Sequence, residues 1–226
     1  MSAHEEAVAG GASRFLRPRY LIVVVAVAGG ILAGILIAQS RSSPSIQSAP
    51  AATEPQVTWA AGARSAPAFS LTDQTGAPIS LARFKGRPVI VTFIDPLCRN
   101  LCPLEAKILV RAQAQLPASQ RAAIVAVSVN QWGNARRYLV QDITKWDLGT
   151  TWHWAVGPTP ALRRVWRDYQ IGVVDAPKTV AGITVHTISH TEASYIVDRN
   201  GDVRALFLYP FTAAEVATTV TRVAGA

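Results

Sequence analysis

Cysteine is scarce in this chain: two residues in 226, beside a single methionine. That excludes a disulfide-stapled mini-protein and a four-cysteine metal knuckle. Charge is thin as well, at 16% of residues against 50% hydrophobic, which excludes a disordered polyelectrolyte. The net charge of +8 comes from 22 basic and 14 acidic side chains. Apart from Arg136-Arg137 and Arg163-Arg164-x-x-Arg167 the basic residues are scattered, with no stripe interleaved with aromatics. Nucleic acid is therefore not expected as a partner, and a solvated face or weak attraction to acidic headgroups accounts for the charge. No internal repeat is present.

Only one long hydrophobic run exists. Tyr20 to Ala38 (YLIVVVAVAGGILAGILIA) holds 19 residues without a charge. At about 1.5 Å per residue a helix of that length nearly matches the roughly 30 Å hydrocarbon core of a bilayer. A cleaved signal peptide competes, since Ala38-Gln39-Ser40 resembles a small-x-small cleavage site, but an apolar signal core usually runs only about 7–15 residues. The anchor is the preferred reading. Arg14, Arg17 and Arg19 precede the span and Arg41 alone follows closely. The excess of positive charge then keeps the N-terminus in the cytoplasm and sends the C-terminal bulk outside. Gly30 and Gly34 form a GxxxG pair of the kind that packs membrane helices. The expected organisation is a cytoplasmic tail over 1–19, a transmembrane anchor over 20–38, a Ser/Pro/Ala/Gln tether over 39–65 and one domain over 66–226.

Within that domain, segments around Ala68–Leu71 and Ile79–Leu81 flank a turn-rich stretch and read as a hairpin. Val89-Ile-Val-Thr-Phe-Ile94 and Ala122–Val129 are near-continuous apolar runs, the pattern of strands buried on both faces. Helices are expected over Leu104–Leu116 behind Pro103, Asn134–Trp146, Pro160–Tyr169 and Thr212–Val223, and a short strand over Thr151–Val156. An irregular segment is expected over Gly172–Thr191. Strands at Ser194–Val197 and Val203–Leu208 are joined through Asn200-Gly201, a strong hairpin signal. The order β-α-β-α-β-α-β-β-α predicts an α/β fold, a mixed sheet flanked by helices, with the cysteines just after the first central strand. That is a thioredoxin-like fold with an added N-terminal β-hairpin.

The cysteines stand in Asp95-Pro-Leu-Cys98-Arg-Asn-Leu-Cys102-Pro103. A disulfide here closes so short a loop that chain entropy contributes only about 2 kcal/mol. On a regular helix positions i and i+4 lie about 5–6 Å apart at Cβ, whereas a disulfide requires about 3.5–4.5 Å. A metal held between two thiolates at about 2.3 Å each tolerates the wider spacing. Cys102, at a helix start, faces the dipole end that favours thiolate. Structural disulfide, redox-active pair and metal site all remain open, with the metal site preferred.

Two thiolates commonly recruit imidazole. Of the four histidines, His4 falls on the cytoplasmic side and His153, between Trp152 and Trp154, reads as an ordinary packed side chain. His186 and His190 lie just before the Tyr195 strand, in a loop that a thioredoxin-like sheet turns toward the cysteines. His186–Tyr195 contains no proline where a thiol oxidoreductase of that fold places one, which counts against disulfide exchange.

These residues resemble the Sco/SenC family of membrane-anchored copper chaperones for cytochrome c oxidase. Phe93, Cys98, Cys102 and Pro103 match the family's strand-ending Phe, C-x-x-x-C and following Pro, and His190 precedes Tyr195-Ile-Val-Asp198-Arg-Asn-Gly201 as the family's third ligand does. The similarity runs from about Pro67 through the last helix, including Trp166 and Tyr169. It implies one copper, Cu(I) or Cu(II), held by Cys98, Cys102 and His190, and cytochrome c oxidase subunit II as partner. The copper would be delivered to its CuA site, or the site's cysteines reduced, with a thiol–disulfide reductant acting on the pair. The expected tail, single span and tether agree with such a membrane-anchored protein with an extracytoplasmic domain, and the excess of arginine over lysine, 18 to 4, points to a bacterial source. The chain departs from the pattern at Ser189, where the family commonly has Asp, and at Pro96-Leu97. Two rivals are a membrane-tethered thiol–disulfide oxidoreductase or peroxidase-like enzyme using Cys98 and Cys102, and a zinc site that also enlists His186.

Overall fold

A computed structural model describes residues 54–225. The expected tail, the span with its GxxxG pair and most of the tether lie outside the described residues. Among the described residues no helix is long and apolar enough to cross a membrane.

The chain runs β1 (Val57–Thr58), β2 (Leu71–Thr72), β3 (Pro78–Ile79), β4 (Val89–Ile94), α1 (Leu101–Ala114), β5 (Ala123–Ser128), α2 (Arg136–Trp146) and β6 (Trp152–Ala155). It continues through α3 (Thr159–Asp168), β7 (Val173–Val180), β8 (Ile183–His190), β9 (Ala193–Val197), β10 (Val203–Leu208) and α4 (Ala213–Ala224). Six strands make the main sheet in the order β1-β10-β9-β4-β5-β6. β4, β5 and β6 are parallel neighbours, and β9 runs antiparallel to both β4 and β10.

All six residues of β4 and all six of β5 are buried. Continuous burial follows from the packing of both sheet faces, which is why these strands show no polar alternation. Successive side chains still part to opposite sides. Ile90 and Ile94 join Leu109, Trp152, Trp154, Phe207 and Val216 in one apolar cluster. Val89, Val91 and Phe93 join Phe69, Leu162, Tyr169 and Tyr195 in the other. Helix α4 starts on a capping box, with Thr212 and Glu215 exchanging side-chain-to-backbone hydrogen bonds.

The thioredoxin-like α/β expectation therefore holds, including the β2–β3 hairpin and every predicted helix within a few residues at its ends. Two local expectations change. The stretch read as tether up to residue 65 contributes β1 to the sheet edge, and Ser65 bridges to Asp202. The segment read as irregular over 172–191 is instead a long hairpin, β7 with β8, paired from Val173–His190 to Val180–Ile183. Ala181 and Gly182 turn it, both with positive φ, 49° and 79°. The hairpin was illegible because its pattern has no core to answer to: Val174, Val180, Ile183 and Val185 are all exposed. Its consequence is positional, since His190 is the last residue of β8.

Candidate metal centre

The cysteine turn leaves the C-terminal end of β4. Asp95, itself buried, shapes it: its Oδ1 accepts the Leu97 N–H at 2.7 Å and its carbonyl accepts the Cys98 N–H at 3.1 Å. Pro96 and Leu97 rest on Gly133, where an added Cβ would come within 2.9 Å of Pro96 Cβ. Only a residue without a Cβ lets the segment after β5 approach this closely. Arg99 donates to the carbonyls of Pro96 and Cys98 at 2.9 and 2.8 Å, and its guanidinium stands 3.6 Å from the buried Asp142 carboxylate on α2.

Neither cysteine is in a disulfide, and Cys98 is half-buried and Cys102 buried. The Cys98 thiol donates to Asn100 Oδ1 at 2.9 Å, and the Cys102 N–H donates to Cys98 Sγ at 3.4 Å. A hydrogen bond from the Cys102 thiol, with backbone N–H groups of Asn100 and Cys102, brings the Cys98 pKa down to about 6 against the opposing effect of burial. Cys102 moves the other way, raised by its hydrogen bond to Cys98 and by burial. The helix start had pointed to Cys102 as the thiolate; burial and the donated proton overrule the dipole there, and Cys98 takes that role.

Across the loop stands His190. Its Nδ1 lies 3.1 Å from the Thr191 carbonyl, which accepts only, so Nδ1 donates there, the tautomer that leaves Nε2 of a neutral ring free to bind a metal. That Nε2 is 3.8 Å from Cys102 Sγ. Thr191 is clamped to Gly172 at the hairpin base, its N–H donating to the Gly172 carbonyl (2.9 Å) and its hydroxyl oxygen accepting from the Gly172 N–H (3.1 Å), which aims the imidazole. Ligand atoms of Cys102, His190 and Glu192 lie within 4.8 Å of one another, the only such group of three among the described residues. Cys98 does not close a cluster of that size with Cys102 and His190, although it lines the same cleft. Glu192 was not singled out from the sequence; its signal was its place two residues beyond His190, on the same side of an extended chain.

The remaining histidines are elsewhere. His153 packs against Phe84, ring centroids 5.1 Å apart, and its pKa is lowered by burial. His186 stacks on Trp132 at 3.7 Å and points Nδ1 at Asp175, 2.9 Å away. Among the described residues it joins no cluster with the cysteines, so the zinc reading loses its fourth ligand.

Beneath Cys102, three residues on along α1, Glu105 is fully buried. Thr92 and Ser194 hydroxyls donate to its Oε1 at 2.9 and 3.0 Å, while Oε2 has no partner. Burial raises its pKa to about 7, so near neutrality the carboxyl holds its proton about half the time.

A mixed sheet with a C-x-x-x-C at the first turn of α1 and an imidazole from the facing hairpin defines a thioredoxin-fold protein with a thiol–imidazole site. Residues 58–225 match the SCO1/SenC family, and the chain belongs to it. The fold is similar to ScoI of Bradyrhizobium japonicum solved with copper bound, at 21% identity over 71% of this chain and 99% of that one, TM-score 0.59. Yeast Sco1, also solved with copper bound, is similar at 14% identity over 70% and 87%, TM-score 0.61. The thioredoxin domain of a Bacteroides vulgatus thiol-disulfide oxidoreductase is similar at 19% identity over 74% and 96%, TM-score 0.52. No curated protein matches the chain.

Proposed function

We propose that the protein is a copper carrier tethered to the outer face of a bacterial cell membrane by residues 20–38. Cys98, Cys102 and His190 take up the copper, and CuA of cytochrome c oxidase subunit II receives it. The observation that carries this reading is the 3.8 Å approach of His190 Nε2 to Cys102 Sγ, with the imidazole lone pair directed at the sulfur. A sulfur and an imidazole nitrogen at that separation suit one metal ion once the Cys102 thiol gives up its proton. The donor chemistry fits: soft thiolates favour Cu(I) and the imidazole makes Cu(II) acceptable. Relatives of the same fold and family hold copper. Before loading, Cys98 is already largely ionised at neutral pH, so only Cys102 must release a proton as copper arrives.

Anaerobic copper titration of the reduced protein tests this. One copper per chain is expected for the wild type, with uptake abolished in Cys98→Ala and Cys102→Ala and weakened in His190→Ala. No stoichiometric uptake by the wild type, or uptake unchanged by Cys98→Ala, refutes it.

The low pKa of Cys98 favours a second reading, thiol–disulfide exchange. The Cys98 thiolate would attack an acceptor disulfide and Cys102 would then displace the mixed disulfide. The acceptor is reduced to two thiols and the pair oxidised to a disulfide. Reduction of a disulfide substrate that survives His190→Ala supports this reading over the first.

A further inference from the structure

The carboxylate of Glu192 faces the Cys102–His190 pair and has no part in the ligand set above. Three features set it there. Glu192 and His190 are two residues apart on extended chain, so both side chains project toward Cys102. The backbone between them is held on both sides, by Thr191 N–H to the Gly172 carbonyl at 2.9 Å and by Tyr209 N–H to the Glu192 carbonyl at 3.1 Å. Finally, among the described residues no arginine or lysine pairs with the Glu192 carboxylate. A half-buried carboxylate beside a thiol and an imidazole, with no arginine or lysine partner, is open to a cation.

The separations agree with a shared ion. The 3.8 Å between Cys102 Sγ and His190 Nε2 is short enough for both atoms to bind one ion, with bonds of about 2.3 Å to sulfur and about 2.0 Å to nitrogen. All three ligand atoms fall within 4.8 Å, so a carboxylate oxygen reaches the same centre with a small side-chain adjustment.

We propose that Glu192 supplies an oxygen ligand to the copper beside Cys102 and His190, and that this ligand sets the site's preference between the two oxidation states. The proposal rests on the copper-carrier reading. A carboxylate oxygen is a hard, anionic donor, and its attraction to a dication at a given distance is twice that to a monocation. The thiolates hold Cu(I) without it. Glu192 therefore strengthens Cu(II) binding selectively, and Cys98, outside the cluster of three, supplies the second sulfur that both states use.

The full chain in detergent, reduced and anaerobic, is titrated with Cu(I) against a competing chromophoric chelator and separately with Cu(II), whose spectrum is recorded by electron paramagnetic resonance at once after mixing. Glu192→Gln should keep Cu(I) affinity within about threefold, lose at least about tenfold in Cu(II) affinity and shift the Cu(II) spectrum. Glu192→Asp, which keeps the charge on a shorter arm, should fall between Gln and wild type. A wild-type Cu(II) affinity and spectrum in Glu192→Gln overturns the assignment and leaves the carrier reading standing. Equal losses of both ions in Gln and Asp variants mark a merely structural side chain and also overturn it. A wild type that takes up neither ion overturns both readings.

Discussion

Replacing Glu105 by glutamine removes one ionisable group from the interior and leaves the shape almost unchanged. The glutamine oxygen can still accept from Thr92 and Ser194, which donate to Oε1 at 2.9 and 3.0 Å. Burial raises the pKa from 4.5 to about 7 in the folded protein. The folded state then keeps a proton that the unfolded chain has lost between those two values, so stability falls as pH rises from about 4.5 to about 7 and levels off above. A shift of that size corresponds to about 3 kcal/mol, at about 1.4 kcal/mol per unit. Below pH about 4.5 the carboxyl is neutral in both states and the variant should match the wild type. At pH about 8 the wild type must keep a charge buried beside an unpartnered Oε2, and the variant should be favoured by about 3 kcal/mol. Urea denaturation of reduced protein, followed by tryptophan fluorescence at a series of pH values, gives both curves. Asp142, also raised by burial, to about 6, bends both curves in the same direction, so the readout is their difference. Parallel curves across pH 4.5–8 would show that Glu105 titrates as an ordinary carboxylate, and the account of the floor beneath Cys102 would be wrong.

Alkylation of Cys98 should follow a midpoint near pH 6, rising as the thiolate forms, and Cys102→Ala should move that midpoint up by removing the largest lowering influence; mass mapping of rates checks it. A midpoint near 9 in the wild type contradicts the assignment of the thiolate. Gly133→Ala should cost about 1–3 kcal/mol and weaken copper uptake, because Pro96, buried and 2.9 Å from the new Cβ, carries the cysteine turn with it. His186→Ala should leave copper stoichiometry unchanged while amide hydrogen exchange over 173–190 quickens, since its stack on Trp132 and its bond to Asp175 hold the hairpin down. Loss of copper in that variant would restore His186 as a ligand.

The strands and helices that build the core were legible because burial writes itself into local pattern. β4 and β5 are continuous apolar runs since both faces are covered, and α1 starts around Pro103 where a missing N–H is harmless. The β7–β8 hairpin escaped because its side chains meet solvent on both faces, and solvent imposes no period on a sequence. Its turn uses Ala181-Gly182 rather than Asn-Gly, and Pro177 sits within β7, so no local signal replaced the missing one.

The sequence alone determined the ingredients of the site: two cysteines four apart at a strand-to-helix junction, and a histidine ahead of the Tyr195 strand. It determined the order of the core strands and helices too, and with it the fold class. Tertiary structure decided which atoms meet and in what state. His190 reaches Cys102 because an unforeseen hairpin ends there and is clamped to Gly172. Glu192 comes with it because extended chain repeats every two residues. Cys98 is the thiolate rather than Cys102, since burial and a shared hydrogen bond outweigh a helix dipole. Ligand geometry depends on a neighbour about 90 residues away along the chain, brought close only by the fold, and ionisation on the burial that the fold imposes.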